Sequence, residues 1–264
     1  MDIHKPKPVR NWREFLTEIG TIVIGVLIAL AAEQAVEALH WRAQVAEARE
    51  VIATELAGNL RNSIFRMRTE RCTERRLDML AQILDTAAHS GALPPVGDIG
   101  LPSLFQWTSG AWDGVVASQT ATHFPRQQLA ELATIYGFVH KADSFNLAEA
   151  NIWAELHTMV GPGRRLDPPD EARLRAALSL ARYDNRTLTI LGLRIVQRME
   201  KQDMPFSKDD LDLIAAGKHR VLTANRYSIC LPVGAVPAAY GQAPLTDLSE
   251  IDDGLKRLPD FVAR

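Results

Sequence analysis

Along residues 15–39 apolar side chains follow one another almost without interruption, and beyond Trp41 they change to steps of three and four. The first stretch reads as a helix uniform on all sides. The second reads as helices with one buried face. Fourteen uncharged residues, Ile19 to Ala32, lie between Glu18 and Glu33. As a helix they reach only about 21 Å, short of a hydrocarbon core of about 30 Å. The flanks lengthen the run: Phe15 and Leu16 precede it, and Ala35, Val36 and Leu39 follow it, with Trp12 and Trp41 outside. Twenty-five residues from Phe15 to Leu39 suffice to span if Glu18 and Glu33 lie near the two headgroup layers and the tryptophans sit at the interfaces.

Two other readings stand beside the span. A basic start (Lys5, Lys7, Arg10, Arg13) and the small-residue run Ala29-Leu30-Ala31 also suit a cleaved signal peptide. A run this short also suits a soluble core helix. The sequence after Ala31 favours the uncleaved anchor. Residues 31–56 are strong helix formers with no Gly or Pro, where a cleavage site needs extended chain. The four basic residues ahead of the run, against Arg42 alone in the fifteen positions after Glu33, orient the N-terminus to the cytoplasm. Thr21, Gly25 and Ala29 recur every fourth residue, a ridge that allows close helix–helix packing in a membrane.

Beyond the span the pattern predicts only helices. The first continues from Ala43 to about Ala88, with Val45, Ile52, Leu56, Leu60, Ile64, Met67, Leu77, Leu80 and Leu84 on one face and Gly91 as its cap. Thr108 or Ser109 caps a short helix to about Ser118. A strong helix follows Pro125 to about 160, with a slight break near Asp143-Ser144. "GPGRR" (161–165) reads as a turn. Asp167 or Asp170 starts a helix to about Gln202, and Ser207 with Asp210 forms a capping box for a helix of 208–217 ended by Gly217. No convincing strand pair occurs. The expected fold is all-α. A cytoplasmic tail (1–14) and a transmembrane helix (15–39) lead into a long helix joining an antiparallel helical bundle (40–226). An irregular Pro/Gly-rich tail (227–264) follows, with a short helix near 248–257.

The stretch "EIGTIVIGVLIALAAEQ" (18–34) then shows a likeness: Glu18, Ile19, Ile24, Gly25, Val26, Leu27, Ile28, Ala29 and Leu30, followed by a tryptophan and a long charged helix. It resembles the start of a family of bacterial single-pass membrane proteins of unknown function. "LPPVGDIG" (93–100) and "ASQTATHFP" (117–125) resemble proteobacterial members. The resemblance implies a single membrane pass and transfers no activity and no catalytic residue.

Composition narrows the function classes. The 264 residues are 47% hydrophobic and 23% charged with net charge −2, so no nucleic-acid partner is expected. The segment "RMRTERCTERRLD" (66–78) reads as a solvated helix face with i,i+4 ion pairs, or else as an anion site. His89, His123, His140 and His157 form no ligand pattern, so no metal and no cofactor is expected. Trp107, Trp112, Asp113, His123 and Trp153 concentrate three of the five tryptophans, as a bundle core does or as a small-ligand pocket does. Cys72 and Cys230 are the only cysteines. In an oxidising compartment they are the one available intrachain disulfide, with two buried thiols as the alternative. The expected protein is a non-enzymatic scaffold or docking protein of the bacterial inner membrane, its bundle periplasmic. It contacts the bilayer and a protein partner or a second copy through the transmembrane helix. The alternative is a small-ligand-sensing bundle acting through a membrane partner.

Overall fold

The computed structural model describes residues 11–219 and 228–234. One helix organises it: α1, Trp12–Ser90, 79 residues without a break and about 120 Å long. Gly58 does not interrupt it. Gly91, with φ 76°, ends it in the left-handed conformation and returns its N–H to the Ala87 carbonyl. The apolar half, from Phe15 to Leu39, packs against no other element among the described residues: Ile28 is 65% and Leu39 63% exposed. It is one apolar helix long enough to cross a membrane. The other half is the axis of the bundle, and Asn62 to Thr69 are eight consecutive buried residues.

Four further helices complete the all-α fold: α2 (Gly110–Ala117), α3 (Arg126–Leu156), α4 (Pro168–Met199) and α5 (Lys208–His219). Each start follows local chemistry. Asp167 accepts the Asp170 N–H at 2.8 Å behind two prolines that suit a first turn. Ser207 and Asp210 cap each other reciprocally, Asp210 N–H to Ser207 Oγ at 3.1 Å and Ser207 N–H to Asp210 Oδ2 at 3.0 Å. α3 shows no break at Asp143-Ser144, and α5 runs past Gly217 to His219. A strand pair absent from the sequence expectation joins β1 (Ala92–Leu93) to β2 (Arg164–Arg165). Half of the "GPGRR" turn is therefore paired, because two loops at the same end of the bundle meet edge to edge. The expected helix near 248–257 lies outside the described residues.

α4 runs antiparallel to α1, with Arg175 paired to Asp85 and Gly192 against Ser63. A Cβ on Gly192 would stand 3.3 Å from the Ser63 carbonyl oxygen, so this glycine sets how closely the two axes approach. α3 runs in the same direction as α1. Residues 92–125 make that possible by travelling back along α1 before α3 begins. The apolar core divides in two. One cluster joins Leu56, Leu60, Trp112, Tyr136, Leu188 and Ile195; the other joins Leu77, Leu84, Trp153, Leu174, Leu178 and Ile229.

Candidate functional site: a clamped strap beside a buried charge layer

Between the two apolar clusters lies a layer of charge. Arg66 of α1 donates Nη1 to Glu149 Oε2 and Nη2 to Glu149 Oε1, both at 2.6 Å, and Nη2 also reaches Asn185 Oδ1 at 2.9 Å. The Arg66 and Glu149 side chains are 3% and 0% exposed. Asn185 passes the contact outward, donating to Glu74 Oε1 at 3.1 Å, and Glu74 meets Arg182 at 3.4 Å. Arg182 in turn pairs with Asp78 at 2.7 Å on the surface. Asp184 stands beside this chain, buried, with no partner for Oδ2 among the described residues. Burial, and then repulsion from Glu149, push its carboxyl up to about 6, against the pull of Arg66.

This layer corrects the reading of residues 66–78 as a solvated face. Arg66, Arg68, Thr69, Thr73 and Arg76 are all buried. The cause is topological: α1 is wrapped by α3, α4, the returning chain and the 228–234 segment. Arg66 and Arg76 therefore meet a carboxylate and carbonyls far away in sequence. Arg76 donates to the carbonyls of Ile99, Ile229 and Leu231, and burial lowers its guanidinium to about 10. Beside it, Cys72 and Cys230 are joined in a disulfide.

Residues 99–108 form a strap wedged between the parallel helices α1 and α3. Buried asparagines on both helices clamp its backbone. Asn59 donates to the Thr108 carbonyl at 2.8 Å and accepts its N–H at 3.1 Å. Asn62 donates to the Gln106 carbonyl at 2.8 Å, and Asn146 exchanges two hydrogen bonds with Phe105. Irregular chain thus obtains the backbone partners that secondary structure would otherwise supply. The ring of Phe105 stacks on Phe65 with centroids 5.7 Å apart. Spaces flank the strap. A wide groove of about 610 Å³ lies toward Asn62 and Phe65, and a smaller cavity of about 360 Å³ lies toward α3. Leu101, Pro102 and Leu104 border both. Glu149, Ala150, Trp153 and His157 complete the smaller one.

The five residues singled out as an aromatic group do not form one site. Trp107 and Trp112 belong to the first apolar cluster, and Trp153 to the second, on the far side of the charge layer. Trp112 stacks on Tyr136 at 5.1 Å, and the Tyr136 hydroxyl donates to Glu55 at 2.7 Å. That same carboxylate accepts the Ala111 N–H at 3.0 Å, capping α2 from a neighbouring helix. Asp113 and His123 are exposed. Asp113 faces His140 at 4.0 Å, and His123 lies flat on Trp41 with centroids 3.8 Å apart. Only Trp153 borders the small cavity. On the apolar half of α1, Thr21, Gly25 and Ala29 are exposed, with open space around Gly25. Among the described residues no cluster of three or more His, Cys, Asp or Glu is placed to hold a metal ion.

Sequence reading missed Asn59, Asn62, Asn146, Glu149 and Asn185. Their signal was present: asparagine is a poor helix former, and these fall on otherwise apolar faces, where a polar side chain needs a dedicated partner. Comparison of the chain with family models, with curated proteins and with solved structures finds no match.

Proposed function

We propose that this chain is a single-pass membrane protein that holds a helical docking bundle on the far side of the membrane from its N-terminus. In a bacterium that places residues 15–39 in the inner membrane and residues 40–226 in the periplasm. The observation carrying this reading is the division of α1: its apolar half is entirely uncovered, while its other half is the sealed axis of the bundle. An uncovered apolar helix of this length is costly in water and favourable in lipid. The Cys72–Cys230 disulfide supports an oxidising compartment for the bundle. The stacked Trp41 and His123 suit the headgroup layer just beyond Leu39.

The role we assign is scaffolding or partner docking without catalysis. In its support, the buried ionisable pair Arg66 and Glu149 is spent on neutralising itself inside the core. The bilayer is one partner. The exposed Thr21–Gly25–Ala29 ridge is the face we assign to a second transmembrane helix, from a partner or another copy.

Fractionation tests the anchor. The protein should stay in the membrane pellet through an alkaline carbonate wash with its N-terminus intact by mass spectrometry. A soluble product beginning near Ala32 would establish a cleaved signal instead. Protease added to spheroplasts should digest the bundle while cytoplasmic markers survive; protection of the bundle would reverse the topology. Cross-linking in membranes should give an adduct of wild type that Gly25→Leu loses. An unchanged adduct removes the ridge from the interface.

A further inference from the structure

The small cavity between the strap and α3 has the makings of a binding site. Its volume of about 360 Å³ falls within the range of small-molecule sites. Leucine, proline and alanine side chains and the Trp153 ring supply most of its wall. Three polar side chains belong to that wall, and one of them, His157, is already engaged by this chain, with Nδ1 on the Trp153 carbonyl at 2.8 Å and Nε2 3.9 Å from Asp98. Glu149 is the second, its charge already met by Arg66 through both carboxylate oxygens. Trp153 is the third. Its side chain is fully buried, and its indole N–H has no acceptor among the described residues. A buried donor left unmatched is unfavourable, and a ligand oxygen supplying the acceptor removes that penalty. Trp107 carries a similarly unmatched N–H but is not part of this wall.

We propose that this cavity binds a small uncharged molecule with an apolar, ring-sized body and one hydrogen-bond acceptor, a carbonyl or ether oxygen, received by Trp153 Nε1. Charge selects against other classes. An anionic ligand would place a second negative charge beside Glu149, with Asp184 close behind. A cationic ligand would compete with Arg66, which is already held by three hydrogen bonds. The floor of the site is the Trp153 ring, held by its burial in the second apolar cluster. The roof is fixed by the asparagine clamp. Occupancy would bear on Glu149, the first member of the charged chain that leads to the surface at Asp78. This assignment goes beyond the docking role and does not depend on the anchor's topology.

The test uses the full chain in lipid nanodiscs with ¹⁵N-labelled tryptophan, its five indole resonances assigned by single Trp→Phe substitutions. The probes are acetophenone, ethylbenzene, benzoate and benzylamine, each titrated by its free aqueous concentration. Acetophenone should shift the Trp153 indole resonance saturably and leave the others in place. Ethylbenzene, the same body without the acceptor, should bind at least about tenfold more weakly. Benzoate and benzylamine should give no saturable shift. Ala150→Met, which fills the cavity from α3, should weaken acetophenone at least about tenfold; Ala154→Met serves the same purpose from an exposed wall position if the first variant does not fold. The proposal is overturned if no probe shifts Trp153 saturably, if either charged probe binds best, or if the folded cavity-filling variant binds acetophenone as wild type does.

Discussion

Arg66 and Glu149, 83 positions apart, meet through two parallel hydrogen bonds of 2.6 Å with both side chains buried. An ion pair so buried is a matched set: the pair costs desolvation, and either partner alone costs far more. Glu149→Ala should therefore destabilise the bundle by about 3–5 kcal/mol, because it strands the Arg66 guanidinium. The double variant Arg66→Met/Glu149→Leu should recover most of that loss. Chemical denaturation of the three proteins decides. A single variant as stable as wild type would mean that water reaches the layer and the pair is not sealed.

The second aromatic relationship is Trp112 on Tyr136. Trp112→Ala removes a buried ring from the cluster around α2 and should cost about 3–5 kcal/mol. Tyr136→Phe should cost about 1 kcal/mol, since it removes one hydrogen bond to Glu55, which keeps the Ala111 N–H. Wild-type melting of Trp112→Ala would show that the ring is not part of the folding core.

How much of this was legible in the sequence follows from which contacts are local. Gly91, Asp167 and the Ser207–Asp210 pair act within a few residues, and the helix ends they set were readable. So was the apolar half of α1, which needs no partner to be recognised. Glu149 and Asn185 signalled a need for partners by their place on apolar faces, but which partners was not readable, because Arg66, Glu149 and Asn185 come from three helices that only the tertiary packing brings together. The parallel course of α1 and α3 depends in turn on the strap, whose clamps at Asn59, Asn62 and Asn146 have no periodic signature. The arginines of 66–78 looked solvated because their density is what a surface helix shows. Packing over most of the helix surface overrode that pattern for Arg66, Arg68 and Arg76, while Arg71 and Arg75 stay exposed. For the same reason the tryptophans looked like one group while the fold puts Trp153 across the charge layer from Trp107 and Trp112.

Asp184 makes stability depend on pH in a defined direction. Its carboxyl rises to about 6 in the folded bundle, above the ordinary carboxylate range, so the folded state binds its proton more tightly than the unfolded chain. Its ionisation weighs against folding above pH about 6, and that penalty is relieved as the pH falls toward the usual carboxylate value. Asp184→Asn should then melt higher than wild type at pH 7.5 and lose that advantage by pH 4.5. Melting curves of the two proteins across this range give the answer. A constant difference between them would mean that Asp184 titrates normally.

The 228–234 segment is held by the Cys72–Cys230 disulfide and by two arginines of α1, Arg76 bonded to the Ile229 and Leu231 carbonyls and Arg75 to the Cys230 carbonyl at 3.3 Å. Gly97 lets the segment come close: a Cβ there would stand 2.5 Å from the Gly234 Cα. The disulfide closes a loop of 158 residues, which restricts the unfolded chain strongly. Cys72→Ser/Cys230→Ser should therefore lower stability by about 2–4 kcal/mol. Arg76→Met in the oxidised protein should also destabilise, since it strands buried carbonyls that its guanidinium now satisfies. The holds separate by hydrogen exchange at the Gly234 amide, which donates to the Asp98 carbonyl at 2.8 Å. If the bond is the main tie, reduction alone opens this amide to exchange. If Arg76 suffices, the amide stays protected in the reduced protein and only the combined loss of bond and guanidinium opens it. Alkylation before and after reduction, on protein taken from membranes without added thiol, reports the bond directly. Both cysteines should label only after reduction of the denatured chain, and labelling before reduction would remove the disulfide's support for an extracytoplasmic bundle.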